Sequence, residues 1–216
     1  MIRTLISNVC WSMVLLASLS ACQGFDRLDY SQGFSRASWQ QPDRVIQELD
    51  LSPNAIVADL GAGSGYFSQR FAGALPEGKI YAVEVTPELT RGLEELRVAE
   101  NLNNLQVVSG AFADPKLPER VDLIFLVNTY HHIENQADYF ALVREKYLKP
   151  GGRVATIDHR HDMSGIMRLF LSAGHWSDPT IVREQMRAAG FQETAAPDFL
   201  ANQNFQIFSP IEAATQ

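Results

Sequence analysis

Apolar positions along this chain fall into short solid runs, separated by longer stretches with helical spacing. Val45, Ile46 and Leu49 repeat at helical intervals behind Pro42-Asp43 and predict a helix. Residues 55–60, Ala-Ile-Val-Ala-Asp-Leu, form a nearly unbroken apolar run of strand length. A run without alternation fits a strand covered on both faces. Phe67, Phe71 and Leu75 then share one helical face over 66–75. The pattern continues with a strand at 80–85, a helix opened by Thr86-Pro87 toward Glu100, and strands at 105–108 and 121–127. A helix over 133–147, a turn at Lys149-Pro150-Gly151-Gly152 and a strand at 153–158 follow. Ser177-Asp178-Pro179 caps one more helix, which ends at Gly190. Residues 191–196 and 205–208 predict a closing antiparallel hairpin. Short strands alternating with longer helices predict an α/β fold, a three-layer sandwich with a mostly parallel sheet and an antiparallel strand at its C-terminal end.

The N-terminus departs from this rhythm. Arg3 precedes a mostly apolar stretch at 9–19, shorter than the roughly 20 residues a membrane-crossing helix needs. It has the shape of a secretory signal peptide. Leu19-Ser20-Ala21-Cys22 resembles the site at which bacterial lipoproteins are cut before a cysteine that is then lipidated. The expected organisation is a signal peptide at 1–21, a lipid-anchored tether at 22–40 with Cys22 lipidated, and one domain at 41–216. Gln23 after the cysteine fits outer-membrane sorting, hence a cell-envelope lipoprotein facing the periplasm; without export the chain is cytoplasmic. Cys10 and Cys22 are the only cysteines, so the domain holds neither a disulfide nor a catalytic thiol.

Composition adds two constraints. With 46% hydrophobic and 20% charged residues, 216 residues make one globular domain plus a short extension. The formal net charge of -7 and the lack of a long basic run argue against a nucleic-acid partner. No assembly state is indicated.

The chemistry concentrates at Asp59-Leu60-Gly61-Ala62-Gly63-Ser64-Gly65, between a predicted strand and a predicted helix. Glycines let a backbone turn tightly and approach a ligand, and the following helix offers free N–H groups. Nucleotide-binding folds share this device. Asp59 and Glu84 discriminate. A carboxylate directly before the glycines suits the ammonium of an amino-acid moiety and is ill placed beside a pyrophosphate. Glu84, ending the next strand, suits ribose hydroxyls. A tight turn with two surface acids is the plainer alternative.

On these residues the chain resembles the class I, S-adenosylmethionine-dependent methyltransferases. Val57-Ala58-Asp59-Leu60-Gly61-Ala62-Gly63-Ser64-Gly65-Tyr66-Phe67 resembles their first motif, and Tyr81-Ala82-Val83-Glu84-Val85 their second. Val121-Asp122-Leu123-Ile124 and Leu148-Lys149-Pro150-Gly151-Gly152-Arg153 resemble the fourth strand and the turn before the fifth. The resemblance spans residues 39–208 and implies a seven-stranded sheet with S-adenosyl-L-methionine as cofactor. It implies cofactor contacts from Asp59, Gly61, Ala62, Gly63, Gly65, Glu84 and Asn128. Where relatives place an acidic residue for the adenine, this chain has Gly110-Ala111; Asp114 is the expected substitute, with Ala111 and Phe112 against the ring.

Acceptor-facing groups belong after the fourth strand, at Asn128-Thr129-Tyr130-His131-His132, because strand C-terminal ends line the ligand crevice of such sheets. Asn128, Tyr130 and His131 are the catalytic candidates, with His131 the preferred base; a helix-capping or packing histidine is the alternative. All five histidines follow residue 130, and His159 and His161 lie between Asp158 and Asp162. Their spacing is not a tight metal motif, so an imidazole-lined acceptor pocket is preferred and no metal is assigned. Residues 163–176, partly apolar, are a candidate lid, as are 30–39; Trp39 and Trp176 are candidates for an aromatic wall.

The reading is therefore a methyltransferase acting by in-line attack on a small-molecule acceptor. A noncatalytic ligand-binding lipoprotein on the same fold, and a protein or lipid methyltransferase at the envelope, are the alternatives.

Overall fold

A computed structural model describes residues 36–160 and 176–212. The signal-peptide and lipidation expectations, the tether up to residue 35, and His161, Asp162 and His175 lie outside the described residues. Residues up to Gln41 form a unit apart from the compact one that begins at Pro42. Of the former, the helical turn α1 (Arg36–Gln40) is described, with Arg36 Nε donating to Gln40 Oε1 at 2.5 Å. The expected tether thus ends in helix.

In the compact unit, α2 (Pro42–Glu48) leads into β1 (Ile56–Leu60), α3 (Tyr66–Ala74), β2 (Lys79–Glu84), α4 (Pro87–Ala99), β3 (Leu105–Ser109) and β4 (Val121–Val127). A 3-10 turn at Tyr130–His132 precedes α5 (Gln136–Lys146) and β5 (Leu148–His159). Then come α6 (Pro179–Ala188), β6 (Phe191–Ala195) and β7 (Gln203–Pro210). The seven strands form one sheet in the order β3-β2-β1-β4-β5-β7-β6. Strands β1 to β5 are parallel, and β7 runs antiparallel between β5 and β6. The expected fold class is the observed one. Because β1 pairs with both β2 and β4, the strand order reverses beside β1, where sheets of this kind open a ligand crevice.

The solid apolar runs are explained by two cores, one on each face. Ala58, Ile124 and Leu126 enter one cluster with Phe140 and Phe208. Val57, Leu123 and Phe125 enter the other with Phe67 and Phe71. Alternate residues of one strand therefore serve opposite cores, and neither face is free for polar residues. Among the described residues, no helix is long and apolar enough to cross a membrane.

Three local expectations change. The helix after β4 begins at Gln136, because Asn135 adopts a left-handed conformation (φ 49°) that breaks it from the 3-10 turn. The Lys149-Pro150-Gly151-Gly152 turn lies inside β5 as a bulge: Val121 pairs with Leu148, yet Leu123 pairs with Arg153. Gly151 supplies the positive φ of 76° that the bulge requires. Thr86 occupies the N-cap of α4 without a capping side-chain bond, whereas Asp178 caps α6 by accepting from the Thr180 amide at 2.7 Å.

Phe125 is fully buried between Phe67 and Phe71, with ring centroids 4.9 and 5.0 Å away. Phe125→Ala should lower unfolding free energy by about 3–5 kcal/mol in urea titrations.

Candidate active site

The three glycines after β1 have different reasons to be glycine. Gly61 (φ 70°) is crowded: an added Cβ would lie 2.5 Å from Thr129 Oγ1, on the loop after β4. Gly65 (φ 83°) is pressed by Leu93 and Leu96 of α4. Gly63 (φ 57°) has nothing within 4 Å of the Cβ position, so its backbone faces open space. That is the point of unobstructed approach for a ligand.

The loop is fastened to the end of β2. The Gly61 and Ala62 amides both donate to the Val83 carbonyl, at 2.9 and 3.1 Å. The Gly63 amide donates to Glu84 Oε2 at 3.1 Å. Glu84 Oε1 accepts from the amides of Val85 and Thr86, at 2.7 and 3.1 Å. A carboxylate has about four acceptor positions. Three are in use, so Glu84 has room for one ribose hydroxyl, and a second would displace an amide. Asp59, 3% exposed, accepts from Ser68 Oγ on α3 at 2.5 Å. Two buried carboxylates beside the open glycine would repel a pyrophosphate and complement an ammonium and a sugar hydroxyl. These residues fit S-adenosylmethionine.

Asp114 is held by hydrogen bonds near the end of α5. Its Oδ1 accepts from Tyr147 Oη at 2.5 Å and the Lys116 amide at 2.7 Å, and its Oδ2 from Lys146 Nζ at 3.1 Å. The carboxylate is thus bound to the end of α5. Burial alone would raise its pKa, but the bonds from Tyr147, the Lys116 amide and Lys146 outweigh that and hold it below its ordinary value. Phe112, two residues earlier, is 79% exposed.

After β4, Asn128 turns the chain in a left-handed conformation (φ 53°), a region asparagine tolerates. Its amide donates to Ile157 and its Oδ1 accepts from Gln203 Nε2 at 2.9 Å. Tyr130 points inward, 3% exposed, stacked on Phe140 with centroids 5.3 Å apart. Its hydroxyl donates to Gln185 of α6 at 2.9 Å, and burial pushes its pKa well up. Tyr130 is a core residue rather than an acceptor-facing one, because its apolar ring completes the α5–α6 layer. His131 Nδ1 lies 2.8 Å from Asp158 Oδ1, both side chains being buried. Asp158 Oδ2 accepts from Ser177 Oγ at 2.6 Å. The His132 ring sits 4.1 Å from that of His131, tilted by 47°. His159 is buried on β5, opposite Gln203. Among the described residues, no group of three histidine, cysteine or acidic side chains is arranged to hold a metal. Trp176 is 38% exposed, and Trp39 belongs to the separate N-terminal unit.

Sequence reasoning missed Ser68, Ser177 and Gln203 as site residues. The one available signal was Ser68, a hydroxyl beside the apolar face of a helix.

Residues 58–154 match the family described as methyltransferase domain. A histone-arginine methyltransferase of Culex quinquefasciatus is 31% identical over 162 residues, covering 74% of this chain and 25% of that protein. A demethylspheroidene O-methyltransferase of Rhodobacter capsulatus is 24% identical over 180 residues, covering 78% and 44%. The chain spans less than half the length of the curated relatives it matches. The crystal structure of a SAM-dependent methyltransferase from Aquifex aeolicus superposes with a TM-score of 0.72 at 21% identity, covering 88% of this chain and 98% of that one. Residues 58–154 thus resemble a methyltransferase domain, and the chain shares the Rossmann-like fold of the Aquifex enzyme.

Two outcomes follow from the geometry. Gly61→Ala should destabilise the fold, and less so in a Thr129→Ala background; urea unfolding of both singles and the double should give a coupling of at least about 0.5 kcal/mol. The stability difference between wild type and Asp114→Asn should be full at neutral pH. It should disappear as pH falls below 3.8 and through the depressed folded value, since protonation removes the advantage of the charged form. Urea titrations across that range read it directly.

Proposed function

We infer that this domain is an active methyltransferase using S-adenosylmethionine, acting on a small-molecule acceptor, with His131 as the group that takes the acceptor's proton. The observation that carries the reading is the buried His131–Asp158 pair at the end of β4, adjoining Thr129, which covers Gly61 of the cofactor loop. Bound at that loop, the cofactor supplies an electrophilic methyl group on a sulfonium. The chain's own part is binding and alignment. Asp59 accepts from the ammonium, Glu84 accepts from the ribose, and the Gly63 backbone leaves room for close approach. Asn128, fixed by Gln203, borders the acceptor side. Asp158 holds the His131 ring in one orientation, so that a proton leaves the acceptor toward a set base. A noncatalytic binding protein would need neither the His131–Asp158 pair nor both buried carboxylates.

We also propose that the chain is exported and anchored through lipid on Cys22, on the strength of the apolar 9–19 stretch and Leu19-Ser20-Ala21-Cys22. Mass spectrometry of the N-terminus from cells should find Cys22 first and acylated; an intact Met1 would overturn the anchor and leave the enzyme reading untouched.

Calorimetric titration of the full chain with S-adenosylmethionine tests the main reading. Saturable binding is expected, weakened about tenfold to a hundredfold by Asp59→Asn, the cost of one charge-assisted hydrogen bond. No binding by a folded chain sinks the proposal.

A further inference from the structure

A polar pair is buried where the sheet has no need of one. Side chains alternate along a strand, so Asp59 shares its face with Val57, which packs in the cluster of Phe67 and Phe71. That face is covered by α3, whose buried residues are Phe67, Ser68, Phe71 and Ala72. Ser68 is 0% exposed, and its Oγ donates to Asp59 Oδ2 at 2.5 Å. Ser68 does not cap α3, because Gly65 holds the N-cap position. A serine inside a helix often bonds a carbonyl one turn back. This one reaches across to the strand.

Folding alone gives this pair little reason to exist. A hydroxyl and a carboxylate replaced together by apolar groups of the same shape leave a layer about as stable. Kept in an apolar layer, a carboxylate is costly without a donor, and Ser68 supplies one from a helix. Asp59 lies two residues before Gly61, where β1 opens onto the glycine loop. We propose that Ser68 is a positioning residue for a cationic amino group, acting through Asp59. Its hydroxyl fixes the plane of the carboxylate, so that the charge meets a ligand's ammonium in one set direction. The ligand class so selected is a nucleoside thioether or sulfonium that carries an ammonium, against the same molecule without its amino group. This inference rests on the methyltransferase reading.

The rest of the cofactor site is held without Ser68. Glu84 accepts from the amides of Gly63, Val85 and Thr86, and the Val83 carbonyl accepts from those of Gly61 and Ala62. Loss of the Ser68 hydroxyl therefore acts on the amino group of a ligand and not on its ribose.

The test titrates the full chain by calorimetry with S-adenosylhomocysteine and with its desamino analogue, which lacks only the amino group. Wild type should bind the first about tenfold to a hundredfold tighter, the worth of one charge-assisted hydrogen bond. Ser68→Ala should cut that ratio about threefold to tenfold, weakening the first ligand and leaving the second within about twofold. In an Asp59→Asn background the same substitution should change neither ligand. Ser68→Cys, which keeps the side-chain size with a weaker donor, should move the ratio in the same direction, and it carries the test if Ser68→Ala does not fold. An unchanged ratio, an equal loss for both ligands, a further loss in the Asp59→Asn background, or a wild type that binds the two alike would overturn the inference. A folded wild type that binds neither ligand would instead bring down the methyltransferase reading itself.

Discussion

A single buried carboxylate ties the glycine-loop end of this domain together. Glu84 accepts amides from the loop after β1 and from the turn that starts α4. Each of those amides stands at a chain reversal with no strand or helix partner, and burying it unpaired would cost about 1–3 kcal/mol. One side chain thus satisfies three backbone donors and fixes the distance between two turns. The glycine loop can stay open at Gly63 because its other contacts are already made, by Glu84 and the Val83 carbonyl.

The turn after β4 is built by different means. There the backbone turns through left-handed Asn128, and side chains from far along the sequence supply the order: Asp158 from β5, Ser177 from before α6, Gln203 from β7. Tyr130 and His131 are neighbours in sequence with opposite fates. Tyr130 is drawn into the core by Phe140 and Gln185, and that fixed turn directs His131 to Asp158.

This contrast explains what the sequence revealed. The sheet was legible because doubly covered strands must be solidly apolar, and the cofactor loop was legible because its glycines and carboxylates are contiguous or end a strand. The turn after β4 was only partly legible. Asn128 and His131 follow β4 directly, but the inward turn of Tyr130 depends on an apolar layer assembled from α5 and α6. Gln203 and Ser177 carry no local signature, being an ordinary strand residue and the neighbour of a cap. The bond between Asp114 and the Tyr147 hydroxyl had no local signature, because the two lie 33 residues apart. The bulge in β5 was hidden for a related reason. Lys-Pro-Gly-Gly has the composition of a turn, and only pairing with β4 shows it to be an interruption within a strand.

The placement of β7 between β5 and β6 bears on the order in which the molecule is completed. On a growing chain, β6 emerges before the strand that will join it to the sheet, so the last two strands must dock after every parallel pairing can already exist. Gln203 arrives with them and brings the partner that fixes Asn128. A nascent chain lacking its final strand has all the residues of the glycine loop but lacks the partner of Asn128. Completion of the sheet and the fixing of Asn128 are therefore the same late event.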